Sequence, residues 1–370
     1  MAESAVISNG LEGIVVAATR NSEVDGQRGQ LIIRGRDAEE LAFASTFEQT
    51  CALLWSDVEA ADEVTVQKIF ADARLKAFDL FSANLSLLKQ PHPMDALRTA
   101  ISLLTSGTEI SFREYAKITA AVSVFVANWS RIRSGLQPLQ PDTSLGQSAD
   151  FLRTVRNSVA TEAEIQALDT YLTTVSDHGM NASTFAARVV ASTESDNISC
   201  IVAAIGALKG PLHGGAPGPV LAMLNAIGEP ANAEDWLAKE LDSGKRIMGM
   251  GHRIYKVRDP RAAIFEQAIK RLESNGLRAT RLPLARAVEA KAEQMLAERH
   301  PDRPLKANVE FYTAVLLDAL QIPDEIFSAT FAVGRVGGWC AHIAEQRQTG
   351  RLIRPASQYT GPRPKQLVNS

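Results

Sequence analysis

Apolar residues recur every three or four positions through most of the chain after residue 37, a spacing that predicts helices rather than strands. The stretch before it reads differently. Residues 11–36 alternate small, apolar and polar groups, and VDGQRGQLIIRG gives a glycine-bearing turn followed by a short strand, so a small N-terminal β hairpin is predicted there. From Asp37 the period changes. DAEELAFASTFEQTCALLW carries acids in its first turn, where they complement a helix N-terminus, and residues 62–88 repeat the helical pattern until the prolines of KQPHPMD interrupt it. FREYAKITAAVSVFVANWSRIRSG is a further helix, ended by Gly135. TEAE at Thr161 places a hydroxyl cap three positions before an acid. NASTFAARVVAS, CIVAAIGALKG, residues 218–229 and residues 234–242 follow as helices. Two charge-rich helical segments within 261–299 flank SNGLRATRLP, and apolar helices return after Pro304 and run to Ala341.

The fold class is therefore all-α, with more than ten helices and one small hairpin. Glycine-rich turns at 210–218 and 244–251 are places where a smaller domain can hinge. They suggest a large domain built from residues 1–213 and 323–370, with a small domain, 214–322, inserted between them. Glycines 206, 210 and 214 recur at helical spacing and would make a smooth packing face.

Composition narrows the class of function. The 370 residues are 45% hydrophobic and 22% charged, as in an ordinary globular protein. A formal net charge of −3 argues against a phosphate-tracking, nucleic-acid-binding surface. No run of 18 apolar residues predicts a membrane span, and MAESAVISNG lacks the pattern of a secretory signal, so a cytoplasmic protein is expected. Cys51, Cys200 and Cys340 stand far apart without a CxxC pair, which reads as buried, reduced thiols.

Candidate chemistry rests on histidine and arginine. Three of the six histidines sit in unusual settings: His178 in SDHGMNAST, His213 in GPLHGGAPG and His252 in MGMGHRIYKVRDPRA. The glycines beside His213 and His252 leave room for a ligand, and imidazole exchanges protons near neutral pH. A plain loop histidine bonded to a carbonyl is the competing reading for each. Their spacing matches no metal-ligand motif, so no metal is expected. Arg253, Lys256, Arg258 and Arg261 follow His252 within ten residues, Arg335 lies in the apolar AVGRVGGW, and Arg354 and Arg363 stand near the end. Arginine forks hold carboxylates bidentately, so several of them suit a small dicarboxylate. Ordinary surface ion pairing is the alternative, and it suits Arg258 better than Arg335. No Walker loop, dinucleotide fingerprint or GxSxG elbow is present.

Several separated motifs, in order, resemble the bacterial citrate synthase family and the broader group that includes 2-methylcitrate synthases. They are GIVVAATRNSEVDGQRGQLIIRGRDAEELA, DHGMNASTFAARV, GPLHGG, MGMGHRIYKVRDPRA, ANVEFY, FAVGRVGGWCAHIAEQ and RPASQYTG, which together cover almost the whole length. The resemblance implies an all-α, two-domain homodimer that condenses acetyl-CoA, a co-substrate rather than a tightly bound cofactor, with oxaloacetate to give citrate and CoA. It implies that His178, His252, Arg261 and Arg335 bind oxaloacetate, with Arg354 supplied across the dimer interface. His213 would polarise the thioester oxygen, and Gly249, Gly251, Lys256 and Lys306 would approach CoA. Glu310 stands where the family ordinarily carries the aspartate that takes the methyl proton, so NVE replaces NVD. The extra methylene moves the carboxylate by about 1 to 1.5 Å. Gly179 stands where an acid commonly follows the substrate-binding histidine. Two alternatives stay open: a 2-methylcitrate synthase using propionyl-CoA, and a low-activity dimer that binds oxaloacetate.

Overall fold

The computed structural model describes residues 8, 10–213, 217–277, 280–302 and 305–361. It opens with three short antiparallel strands, β1 (Ser22–Asp25), β2 (Gln30–Ile33) and β3 (Arg36–Asp37), paired in that order. The expected hairpin is present, with Val24 opposite Leu31, and a two-residue third strand extends it. Leu31 and Ile33 alternate inward onto the helical core, as a half-buried strand should.

Fifteen α-helices follow among the described residues. The continuous pattern from Asp37 to Trp55 splits into α1 (Ala38–Ala44) and α2 (Phe47–Leu54). Thr46 and Gln49 form a capping box that restarts the helix, which apolar spacing alone does not reveal. Next come α3 (Glu63–Ala83), α4 (Pro93–Ile101), α5 (Phe112–Arg133) and α6 (Gln147–Arg156). In α7 (Glu162–Val175) the expected Thr161 cap is a full capping box with Glu164. The chain continues through α8 (Ala182–Ala191), α9 (Asn197–Leu208), α10 (Pro217–Ile227) and α11 (Ala233–Asp242). It ends with α12 (Pro260–Ser274), α13 (Leu282–Arg299), α14 (Val309–Ala319) and α15 (Phe327–Thr349). Of the three regularly spaced glycines, Gly206 lies in α9, Gly210 falls just beyond its end, and Gly214 lies outside the described residues, so the expected glycine face is not a helical one.

Two helices form the centre. Every residue from Ile118 to Arg131 of α5 and from Ala329 to Ala344 of α15 is buried. Burial on all faces explains why these segments read as nearly continuous apolar runs. Glycines let α15 lie directly on the end of α7: a Cβ at Gly334 would stand 2.5 Å from Val175 Cγ2, and one at Gly338 2.1 Å from the Ser176 carbonyl oxygen. Meanwhile α12 packs against both α7 and α14, and α11 packs against α13. Thus α7 touches both α12 and α15, and α12 in turn touches α14. The three cysteines are free and buried. No helix among the described residues is long and apolar enough to cross a membrane.

Candidate active site

His178 sits in the short link between α7 and α8, where Gly179 takes a left-handed φ of 58°. This turn is braced from β1: the Gly179 amide donates to Ser22 Oγ at 2.8 Å, and the Ser22 hydroxyl donates to Asp177. Asp177 is fully buried and lies 3.1 Å from His342 Nε2 of α15. Burial pushes the Asp177 carboxyl up, but His342, Ser22 and Arg335 together outweigh it and hold the group below the usual carboxylate range. His178 is buried beside this anion. Burial first, then Arg261, Arg335 and His252, hold its pKa well below that of ordinary imidazole, so the ring is neutral at pH 7.

Backbone amides, which can only donate, fix the tautomers of the other two histidines. The Ser183 amide donates to His213 Nε2 at 3.2 Å, which leaves the proton on Nδ1. Trp339 Nε1 anchors the Ser183 hydroxyl at 3.1 Å, and that hydroxyl lies 2.8 Å from His213 Nε2. In His252 the arrangement is reversed. The amides of Ile254 and Tyr255 donate to Nδ1 at 3.0 and 3.1 Å, so Nε2 carries the proton. Burial pushes both rings down to about 4, with the Arg335 charge adding for His213 and the Arg261 charge for His252. Both are neutral donors at physiological pH. His252 Nε2 and Arg261 Nη2 lie 3.4 Å apart, and since both are donors, an incoming acceptor oxygen suits the space they face.

The arginines are positioned by helix ends. Asp259 caps α12, with Pro260 in the first turn, and accepts from the Arg261 amide and Nε at 3.0 Å and from Nη2 at 2.7 Å. The same carboxylate accepts from the Val309 amide at the start of α14, tying two helix N-termini together. Glu310 is the next residue of α14. Its amide donates to the Asn308 cap, and among the described residues no side chain bonds its carboxylate. Burial pushes that carboxyl up to about 7, against the pull of Arg261 and Arg335 and with a push from Asp259. Arg335 is buried in α15, donates from Nε to the Val175 carbonyl at 2.5 Å and lies over Phe331 at 4.6 Å. Arg261 and Arg335 thus act electrostatically on both His178 and Glu310, and Arg335 also acts on His213. Three sequence-selected residues, His178, His213 and Glu310, together with His252 beside Arg261, gather around one guanidinium pair.

A short antiparallel bridge between Met250 and Ala307 aligns the His252 loop with Glu310. The Gly251 amide donates to the Lys306 carbonyl at 2.7 Å, and the Asn308 amide to the Gly249 carbonyl at 2.9 Å. Gly249 and Gly251 have φ of 75° and 86°, and a Cβ at Gly249 would press on Phe311 and Val220. Glycine is required here for both φ and space. The Lys306 ammonium pairs with Glu293 at 2.6 Å, while Lys256 is exposed beside the loop. Arg258 pairs with Glu266 and Glu289, the ordinary ion pairing that its sequence context suggests. Arg354 lies on the exposed segment after α15. Arg363 lies outside the described residues. Sequence reasoning singled out neither Ser22, Asp177, Ser183, Tyr255, Asp259 nor His342. Of these only Asp259 carries a local signal, an Asp-Pro pair opening a helical pattern.

Comparison with known proteins matches the chain to one family. The family model "Citrate synthase, C-terminal domain" covers residues 10–356. Citrate synthase 2 of Bacillus subtilis is 37% identical over 98% of both chains, and the citrate synthase of Deinococcus radiodurans is 35% identical over 98% of both. The crystal structure of Thermotoga maritima citrate synthase superposes with a TM-score of 0.83 at 33% identity, over 98% of each chain. The Thermoplasma acidophilum enzyme, solved with carboxymethyl coenzyme A and oxaloacetate, gives 0.84 at 29% identity, also over 98% of each. With a family model over residues 10–356 and relatives 35–37% identical over 98% of its length, the chain belongs to the citrate synthase family.

Proposed function

We propose that this protein condenses acetyl-CoA with oxaloacetate and water to give citrate and CoA, using Glu310 as the base. The observation that carries this reading is a carboxylate with no side-chain partner, raised to about 7, facing the same two arginines as neutral His178. Oxaloacetate is held through its carboxylates by Arg261 and Arg335, and in a homodimer by Arg354 of a second copy. His178 and the Nε2–H of His252 orient it, with the substrate carbonyl oxygen placed between His252 and Arg261.

Glu310 then removes a proton from the acetyl methyl group. A carboxylate is too weak a base for this alone, so the His213 Nδ1–H supports the charge that develops on the thioester oxygen. The enolate carbon attacks the oxaloacetate carbonyl, a new carbon–carbon bond forms, and His252 Nε2 supplies the proton to the resulting alkoxide. Water then cleaves the thioester of citryl-CoA to citrate and free CoA. Acetyl-CoA is not tightly held: Gly249, Gly251 and Lys256 line its approach, with Lys306 close behind. Residues 214–322 act as the smaller domain that closes over the substrates and excludes water.

The named relatives are citrate synthases, which favours acetyl-CoA over propionyl-CoA. The decisive experiment is CoA release by the purified protein with oxaloacetate and each acyl-CoA in parallel. Oxaloacetate-dependent release with acetyl-CoA is expected. Binding of oxaloacetate without any CoA release would make the protein a receptor instead.

A further inference from the structure

The mechanism gives the hydroxyl of Tyr255 no task. Tyr255 is 2% exposed, and its hydroxyl lies 3.1 Å from His178 Nε2. Its ring packs against both substrate-facing imidazoles, with centroids 5.6 Å from His178 and 4.8 Å from His252. The Arg261 guanidinium lies 5.9 Å from the same ring. One residue therefore touches three of the groups assigned to the keto diacid.

Two backbone contacts fix where this hydroxyl can go. The Tyr255 amide donates to His252 Nδ1, so the residue is tied to the imidazole whose proton faces the substrate. Behind the loop, the Lys256 amide donates to the Gly26 carbonyl in the β1–β2 turn at 2.9 Å. A Cβ at Gly26 would stand 2.3 Å from the Ile254 carbonyl oxygen, so the turn presses on the loop as closely as backbone allows. Gly29, with φ of 66°, closes on Val257 in the same way. The hairpin thus backs Tyr255 and aims its hydroxyl at His178.

When oxaloacetate takes His178 Nε2, the phenol of this nearly buried residue loses its partner. A buried hydroxyl left unbonded opposes binding, whereas one that follows its partner onto the ligand favours it. A keto acid held by His178, His252 and Arg261 brings acceptor oxygens to the same three groups this ring already neighbours.

We propose that the Tyr255 hydroxyl is a further oxaloacetate-binding group, held on His178 Nε2 in the empty site and transferred to a substrate oxygen on binding. This rests on the citrate synthase reading. It identifies Tyr255 as a determinant of affinity for the keto diacid but not for the acyl-CoA.

Tyr255→Phe tests it, because the variant keeps the ring and removes one oxygen. Calorimetry without acetyl-CoA is expected to show the oxaloacetate dissociation constant rising about five- to fifty-fold. The KM for acetyl-CoA at saturating oxaloacetate is expected to stay within about twofold, and the unfolding temperature within a few degrees, a split that general disruption of the fold does not produce. In 15N-histidine spectra the His178 Nε2 resonance of the free protein should move on substitution. Oxaloacetate affinity equal to or tighter than that of the unsubstituted protein overturns the proposal, as does an unmoved His178 resonance. An unsubstituted protein that binds no oxaloacetate overturns the functional reading as well.

Discussion

At the scale of single residues, Glu310 sets the pH behaviour. A base must be ionised, so kcat/KM is expected to rise with pH through about 7 and level off above it. The same shift has a cost in stability. The folded carboxyl binds its proton more tightly than the unfolded one, so the stability it contributes is complete below about 4.5 and is lost as pH rises through about 7. Glu310→Gln is therefore expected to remove turnover by about 10³-fold while leaving oxaloacetate binding largely intact. It should also raise the unfolding temperature relative to the parent at pH 8 but not at pH 4, by about 1–3 kcal/mol in stability. Scanning calorimetry at the two pH values, with single-turnover kinetics, checks both. Glu310→Asp withdraws the carboxylate by about 1 to 1.5 Å. A loss of about 10²-fold in kcat is expected, because a displacement of that size takes the base out of line with the acetyl methyl group. A gain in kcat would show the reverse.

At the scale of elements, the glycines of α15 decide whether the site exists. Gly338→Ala would place a methyl 2.1 Å from the Ser176 carbonyl and 2.9 Å from Asp177 Oδ1, forcing α15 off the end of α7. A loss of more than about 2 kcal/mol in stability is expected, with oxaloacetate binding falling as His178 and Arg335 separate. Thr161→Ala is the contrasting case at the other end of α7. It removes a capping box far along the helix from His178, so about 1 kcal/mol of stability should go while KM values stay unchanged. Chemical denaturation and substrate titration of the two variants separate the effects. The capping box of α7 is legible in TEAE, and the hairpin in VDGQRG, because both depend on neighbours in sequence. The role of the α15 glycines is not, since what they make room for lies about 160 positions away.

At the scale of the whole molecule, the role proposed for Arg354 depends on a second copy. It stands exposed beyond α15, with Arg351 held by Gln346 just before it. Arg354→Ala is expected to raise the oxaloacetate KM by well over 10-fold, as when one partner of a desolvated charge pair is removed. The cross-subunit assignment has a sharper test. Mixed dimers of Arg354→Ala and Glu310→Gln chains would each contain one intact site, built from Glu310 of the first chain and Arg354 of the second. Co-expressed chains, purified through separate tags, should recover activity that neither homodimer shows. Continued inactivity of the mixed dimer would place Arg354 in its own subunit's site.

The chain's own order of residues determined the helical class, the hairpin, the caps and the choice of His178, His213, His252, Arg261, Arg335 and Glu310 as chemistry-bearing groups. Those features follow from local periodicity, turn chemistry and motif resemblance, all of which are written along the chain. Only the tertiary structure decided that Asp259 joins two helix N-termini, that backbone amides set opposite tautomers on His213 and His252, and that Tyr255 occupies His178. Hydrogen bonds of that kind depend on distance and direction between remote segments, and burial gives them their electrostatic weight. A linear sequence records neither.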